Sequence, residues 1–264
     1  MKTNHVRHKL KRGESSVGTW LTLPDSVAAH LMARVGFDWL TVELEHAPTS
    51  FETAANSFAA IGGAGVAPLA RVPINSVENI KRVLDTGAWG VVVPMVNSRA
   101  EAEAAVAAAR YQPLGERSIG GQMHAASFDT DPATYYARAN EEILVVLMAE
   151  HFRAIEKAEE IFSVPGIDVV FIGPNDLTNS MGLAPTFESS DARFTEALEK
   201  ILRVAKKNGI AAGIHVADAA AAQRRLAQGF QFVAVASETG LMLAKASEVA
   251  KTLGLGAGRA VAKY

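Results

Sequence analysis

Short runs rich in Val, Ile, Leu and Ala recur along the chain, separated by segments whose apolar residues repeat with helical spacing. Eight such runs, over residues 17–23, 39–44, 67–72, 90–95, 143–149, 168–172, 211–216 and 230–236, predict eight strands. Nearly continuous apolar strands alternating with helices are what a parallel sheet buried on both faces requires. The segment 191–207 shows the helical pattern well: Phe194, Leu198, Ile201, Leu202 and Ala205 fall on one face, and Asn208-Gly209 supplies a stop. Similar stops stand at Gly36, Gly87 and Gly229. Eight βα units without a glycine-rich first turn point to an α/β fold of the (β/α)₈ TIM-barrel type, with an open doubly wound sheet as the competitor.

The strand ends carry the polar residues. Glu45 and His46, Glu150 and His151, and Asn175 and Asp176 each follow an apolar run directly. In a barrel these are the C-terminal ends, where the chemistry of such enzymes is placed. One connection, over residues 97–142, is oversized and contains a glycine-bearing stretch, so it is a candidate active-site loop. No internal repeat or linker marks a second domain, and the 264 residues suit a single barrel of about 250. The Gly- and Ala-rich tail from about 254 is expected to be loose.

Composition narrows the function classes. Hydrophobic residues at 49% and charged residues at 20% supply a globular core and exclude a wholly disordered chain. A net charge of -2, with basic residues scattered singly, offers no field for nucleic acid. The cluster His5, Arg7, His8, Lys9, Lys11 and Arg12 reads as a solvated first helix. Cysteine is absent, so disulfides, thiolate metal sites and a cysteine nucleophile are excluded, and any metal must use Asp, Glu or His. No apolar run has membrane-spanning length, and the expectation is a cytoplasmic protein without membrane or nucleic-acid partners.

Glu150 and Asp176 leave adjacent predicted strands, about 4.8 Å apart in a sheet, and could reach one ion. Two carboxylates and water suit Mg²⁺ or Mn²⁺. Position alone leaves a second reading open, with Glu150 paired to an arginine and Asp176 capping a helix that begins near Leu177. Alternation sends Glu43 and Glu45 to one side, and His46 beside them could transfer protons. Arg71 closes the third run, where a guanidinium could hold a carboxylate or a developing enolate oxygen. Its alternative is a salt bridge to Glu45 or Glu150. Asp85 by itself reads as a helix residue. No P-loop, Gly-x-Ser-x-Gly elbow or His-Glu-x-x-His is present.

Taken in order, several motifs resemble those of the HpcH/HpaI aldolase family. They are Gly36-Phe-Asp-Trp-Leu40 with Glu45-His-Ala-Pro48, Arg71-Val-Pro73, Ile80-Lys-Arg-Val-Leu-Asp85 and Val93-Pro-Met-Val96. Further on come Arg110-Tyr-Gln-Pro-Leu-Gly-Glu-Arg-Ser118, Pro165-Gly-Ile-Asp168, Phe171-Ile-Gly-Pro174 with Asp176-Leu177, and Phe232-Val-Ala-Val235. These are class II pyruvate aldolases, among them 4-hydroxy-2-oxoheptanedioate and 2-dehydro-3-deoxyglucarate aldolases. The resemblance implies a TIM barrel whose C-terminal helix is exchanged between subunits of a homohexamer. It implies a divalent metal (Mg²⁺, Mn²⁺ or Co²⁺) on Glu150 and Asp176, a 2-oxo acid held by Arg71, and proton transfer by His46 paired with Asp85. Gly173, Pro174, Asn175 and Asp176 are implied to bind substrate, with backbone amides at Asn175 and Asp176 receiving its carboxylate.

This chain departs from the family pattern beside the metal-binding Glu. Met148-Ala-Glu150 replaces the usual Gln-Ile-Glu, His151 and Phe152 follow where Thr or Ser is common, and Glu43 stands where Asp is frequent. Met148 and His151 are therefore expected to shape the pocket. The leading expectation is a metal-dependent aldolase acting on a pyruvate-type acid and an aldehyde. A divergent enzyme of another enolate reaction, such as 2-oxo acid decarboxylation, and a non-catalytic 2-oxo acid binding protein are the alternatives.

Overall fold

The computed structural model describes residues 1–255, so the tail expected to be loose lies outside the described residues beyond Leu255. Eight strands form one parallel sheet: β1 (Ser16–Leu21), β2 (Trp39–Glu43), β3 (Ala67–Arg71), β4 (Gly90–Val93), β5 (Leu144–Met148), β6 (Val169–Ile172), β7 (Ala211–Val216) and β8 (Phe232–Ser237). The sheet closes in sequence order, with β1 hydrogen-bonded to both β2 and β8, which removes the open doubly wound alternative. Each predicted run overlaps one of these strands, with ends shifted by a residue or two.

The barrel interior is packed, not hollow. The ring of Trp39 on β2 stacks on Phe232 of β8 at 4.1 Å and 3°, and Phe232 meets Phe171 of β6 edge-on at 5.9 Å. Gly18 on β1 makes room for this layer, since a Cβ there would lie 2.1 Å from the Trp39 ring. Aromatic burial on this scale is a main source of barrel stability.

The helices are α1 (His5–Lys11), α2 (Ser26–Met32), α3 (Phe51–Gly63), α4 (Val77–Asp85), α5 (Arg99–Ala109), α6 (Met123–Ser127) and α7 (Pro132–Glu142). They continue with α8 (Phe152–Glu156), α9 (Ala158–Ile161), α10 (Pro174–Ser180), α11 (Ala192–Asn208), α12 (Ala219–Ala227) and α13 (Glu238–Thr252). Helix α11 buries Phe194, Leu198 and Ile201, as the apolar spacing predicts, and ends at left-handed Gly209.

The first helix is not the solvated surface its charge suggests. Val6 and Leu10 are buried on α1, and Arg7 reaches Asp168, whose carboxylate also accepts from Arg110 Nη2 at 2.8 Å and from the Val145 N–H at 2.9 Å. His8 lies 3.1 Å from Glu142 and Lys9 lies 2.6 Å from Asp38. Neighbouring segments supply acids opposite these bases, and such partners are invisible in a local charge count.

Helix α13 behaves differently from α11. Glu238, its first residue, anchors it by accepting from the backbone N–H groups of Thr22 and Leu23 at 2.5 and 2.6 Å. Glu238 is also the one buried residue of the helix, and Leu241, Met242 and Val249 stand exposed. No helix among the described residues is long and apolar enough to cross a membrane.

Candidate active site

A cavity of about 140 Å³ opens at the mouth formed by the strand C-termini. Its polar lining is His46, Arg71, Glu150, Asn175 and Asp176, and Trp20, Met148, Phe171 and His215 supply the ring and thioether surface. Gly173 and Pro174 complete it.

Glu150 follows β5 after one residue and is 3% exposed. The N–H of Met95 donates to its Oε1 at 2.7 Å. Met95 sits at φ 53, a left-handed conformation uncommon outside glycine, so the backbone after β4 is held out of its ordinary range where it meets Glu150. On the other side, a Cβ at Gly173 would fall 2.7 Å from Glu150 Oε2, so a glycine is needed for the carboxylate to lie against that backbone. Burial pushes the Glu150 carboxyl up to about 7; the Met95 N–H and Arg71 oppose the rise, while Asp176 and Glu45 reinforce it.

Asp176 lies in the first turn of α10, three residues after the N-cap Gly173, and α10 has no side-chain cap. It is therefore not the helix cap that position alone allowed. Pro174 occupies the first helical position, where its missing N–H costs nothing.

Arg71 ends β3 directly beside Glu43 in the β2–β3 register. Its Nε donates to Glu43 Oε2 at 2.5 Å and lies 3.3 Å from Glu45 Oε2. The salt bridge to Glu45 that sequence position suggested is thus present, and Glu43, which sequence position did not suggest, lies closer still. Glu43 is fully buried, and its other oxygen accepts from the N–H groups of Glu45 and His46 at 2.6 and 3.1 Å. One carboxylate thereby positions both the guanidinium and the loop bearing His46. The longer Glu, in place of the family's frequent Asp, is seated without leaving a free oxygen.

His46 stands at the rim, with a side chain 57% exposed and Nε2 3.8 Å from Glu45 Oε1. Burial holds the Glu45 carboxyl above its ordinary range, against the attraction of Arg71 and His46.

Three sequence expectations meet a different geometry. The Asp85 carboxylate, at the end of α4, is bound by Arg117 Nη2 at 2.7 Å, and among the described residues the acidic neighbour of His46 is Glu45. Within one chain Asp85 and His46 are not a pair. Residues 111–128 also stay out of the cavity lining: Arg117 turns inward to Asp85 and to the Tyr135 hydroxyl at 3.1 Å. The long loop is thus occupied in holding α4 and α7 together. His151 caps α8, its Nδ1 accepting from the Arg153 N–H at 3.1 Å, and it does not line the cavity, whereas Met148 does.

Trp20, Phe171 and His215 were missed because each lies inside an apolar run and reads as core. His215 left the one usable signal, a histidine near the end of the seventh strand in Ala211–Val216.

A carboxylate driven up by burial, with a second carboxylate reinforcing the rise, is in the electrostatic state that a divalent cation relieves, and oxygen donors suit a hard ion. Glu150 and Asp176 therefore fit a metal. Among the described residues no cluster of three or more His, Cys, Asp or Glu side chains could hold an ion, so a cation on these two would take its remaining positions from water or substrate.

A closed parallel barrel with acids, an arginine and a histidine gathered at its C-terminal mouth defines a barrel enzyme. The profile of the HpcH/HpaI aldolase/citrate lyase family matches residues 16–244, and the chain belongs to that family. It is a carbon–carbon lyase of the aldolase kind. A hydroxypyruvate/pyruvate aldolase of Rhizorhabdus wittichii is 34% identical over 93% of this chain and 97% of its own length. A 4-hydroxy-2-oxo-heptane-1,7-dioate aldolase of Escherichia coli is 36% identical over 95% of both chains. The crystal structure of a family protein from Burkholderia cenocepacia superposes with a TM-score of 0.88 at 30% identity, covering 96% of this chain and 100% of that one.

Proposed function

We propose that this chain is a divalent-metal-dependent aldolase that cleaves and forms 4-hydroxy-2-oxo acids, with pyruvate or a close 2-oxo acid as nucleophile and an aldehyde as acceptor. The observation that carries this reading is the meeting of Glu150, Asp176 and Arg71 in one cavity, with Glu150 buried and pushed up to about 7. Glu150 and Asp176 hold Mg²⁺, Mn²⁺ or Co²⁺, which when bound supplies Lewis-acid polarisation of the 2-oxo group.

The side chains do the rest. Arg71, fixed by Glu43, presents positive charge to the oxo oxygen as negative charge develops there. The first turn of α10, at Asn175 and Asp176, receives the substrate carboxylate with backbone N–H groups. In cleavage His46 takes the C4 hydroxyl proton while the C3–C4 bond breaks. The C4 carbon leaves as an aldehyde, and the bonding pair passes through C3 to the oxo group. A proton delivered to C3 completes pyruvate.

Among the described residues no lysine lines the cavity, and in this reading the reaction runs without a Schiff base. The direct test couples pyruvate release to lactate dehydrogenase across 4-hydroxy-2-oxo acids of varied length and charge, with each metal in turn. Activity is expected to vanish in chelator and return with metal. Full activity in chelator, or borohydride trapping of pyruvate on the chain, overturns the reading.

The same reading takes α13, whose buried residue is Glu238 at its start, as exchanged between subunits of a hexamer. Its exposed Leu241, Met242 and Val249 are apolar surface that a second copy would cover. Sedimentation of the full chain as a monomer at micromolar concentration contradicts this.

A further inference from the structure

We propose that Arg117 and His124 pin the exposed strap between them, residues 118–123, and that a proton on His124 releases it, because the two side chains cannot both carry charge in one buried pocket. This goes beyond the aldolase reading and stands or falls without it, since its readout is the order of one segment.

The burial pattern of the long loop defines the strap. Residues 118–123 are all exposed, whereas the residue on each side of them turns inward. The Arg117 side chain is 0% exposed, and His124 is fully buried on α6. Between these two, the Tyr136 hydroxyl donates to the Gly120 carbonyl at a long 3.5 Å. The position of the strap therefore depends on its two ends.

Arg117 enters the pocket from one end. Its Nη2 donates to Asp85 at 2.7 Å, its Nη1 donates to the Tyr135 hydroxyl at 3.1 Å, and its guanidinium lies over the Tyr111 ring at 4.7 Å. His124 enters from the other end, its ring 4.3 Å from Tyr135 and 5.5 Å from Tyr136. Both pins thus meet on α7. Neither nitrogen of His124 has a hydrogen-bond partner among the described residues. The charges acting on the ring are Arg117, which opposes a proton, and Asp85, which favours one. Asp85 already neutralises Arg117, so a proton on His124 leaves the pocket with a net positive charge. Burial pushes the Tyr111 and Tyr135 phenols up, and neither supplies a compensating anion. Burial, reinforced by Arg117 and opposed by Asp85, holds the imidazole below its ordinary range.

The sign of the pH dependence follows from that depression. Released, the imidazole returns to an ordinary pKa of about 6.5, and pinned it lies lower. Between the two values the released form binds one more proton, so release gains up to about tenfold for each unit of falling pH. The gain levels off once both forms are protonated. Release also takes the guanidinium away from Asp85 at the end of α4.

The test is amide hydrogen exchange, read by mass spectrometry on the full chain from pH 7 to pH 5 and corrected for the intrinsic pH dependence of exchange. The amides to follow are that of Arg117, bonded to the Arg110 carbonyl, and that of Phe128, bonded to the His124 carbonyl, with α11 as internal reference. Protection at Arg117 and Phe128 is expected to fall about tenfold or more on acidification while α11 holds. In His124→Phe, which keeps a ring in the aromatic pocket but has no titrating group, the fall is expected to stay within about twofold. His124→Gln is a second neutral replacement for use where Phe overfills the pocket. Unchanged protection in the native chain overturns the proposal without any variant. A fall shared by α11, or an equal fall in a folded neutral variant, overturns it as well.

Discussion

Glu150→Gln is expected to lower kcat/KM by about a thousandfold or more while the chain remains folded, and Asp176→Asn to do the same. Glutamine keeps the size of the side chain and can still accept from the Met95 N–H. What it removes is the negative charge that pairs with the cation. The native carboxyl is pushed up to about 7, chiefly by burial, so below that pH a proton must leave before the metal can bind. Apparent metal affinity is then expected to fall about tenfold per pH unit below 7 and to level off above it.

The metal-free protein responds with the opposite sign. A carboxyl whose folded pKa is raised contributes stability at low pH, below the unfolded value of about 4.3, and that contribution is lost as pH rises through about 7. In chelator, melting temperature should therefore decline between those limits for the native chain, and less so for Glu150→Gln. Metal-dependent turnover retained in Glu150→Gln would remove the carboxylate pair from the mechanism.

Arg71→Met is expected to cost about a hundredfold to a thousandfold in kcat/KM, in the range seen when one charge-stabilising donor is lost. It should also destabilise the fold by about 3–5 kcal/mol, because Glu43 would be left buried without its ion-pair partner. The two effects separate in the double variant Arg71→Met with Glu43→Gln. Neutralising Glu43 should recover much of the lost melting temperature and none of the activity. Recovery of turnover together with stability would mean that Arg71 acts only as a scaffold for Glu43.

The legibility of this protein in its sequence follows the range of the interactions involved. Strand runs such as Ala67–Arg71 and Ala211–Val216 are local patterns, and they lie where periodicity puts them because both faces of a parallel strand must be buried. Glu150, Asp176, Arg71 and His46 were legible for a related reason: each sits where an apolar run turns polar. Pairings were not legible. Arg71 beside Glu43 depends on the register of β2 against β3, and Asp85 beside Arg117 on how a loop folds back, 32 residues away in sequence. His151 was overread, since a histidine after a metal-binding Glu looks catalytic until its Nδ1 is seen to cap a helix.

The sequence by itself determined the barrel, the strand ends that carry chemistry and the family, because apolar period and short motifs are properties of neighbouring residues. Only the tertiary structure decided that Asp176 is not a helix cap, that Glu43 secures Arg71, and that Trp20, Phe171 and His215 wall the cavity. Each of these depends on which side chains from distant strands share one interior, and on the burial that results. That burial raises the Glu150 carboxyl and keeps His215 neutral, and no residue type or spacing encodes it.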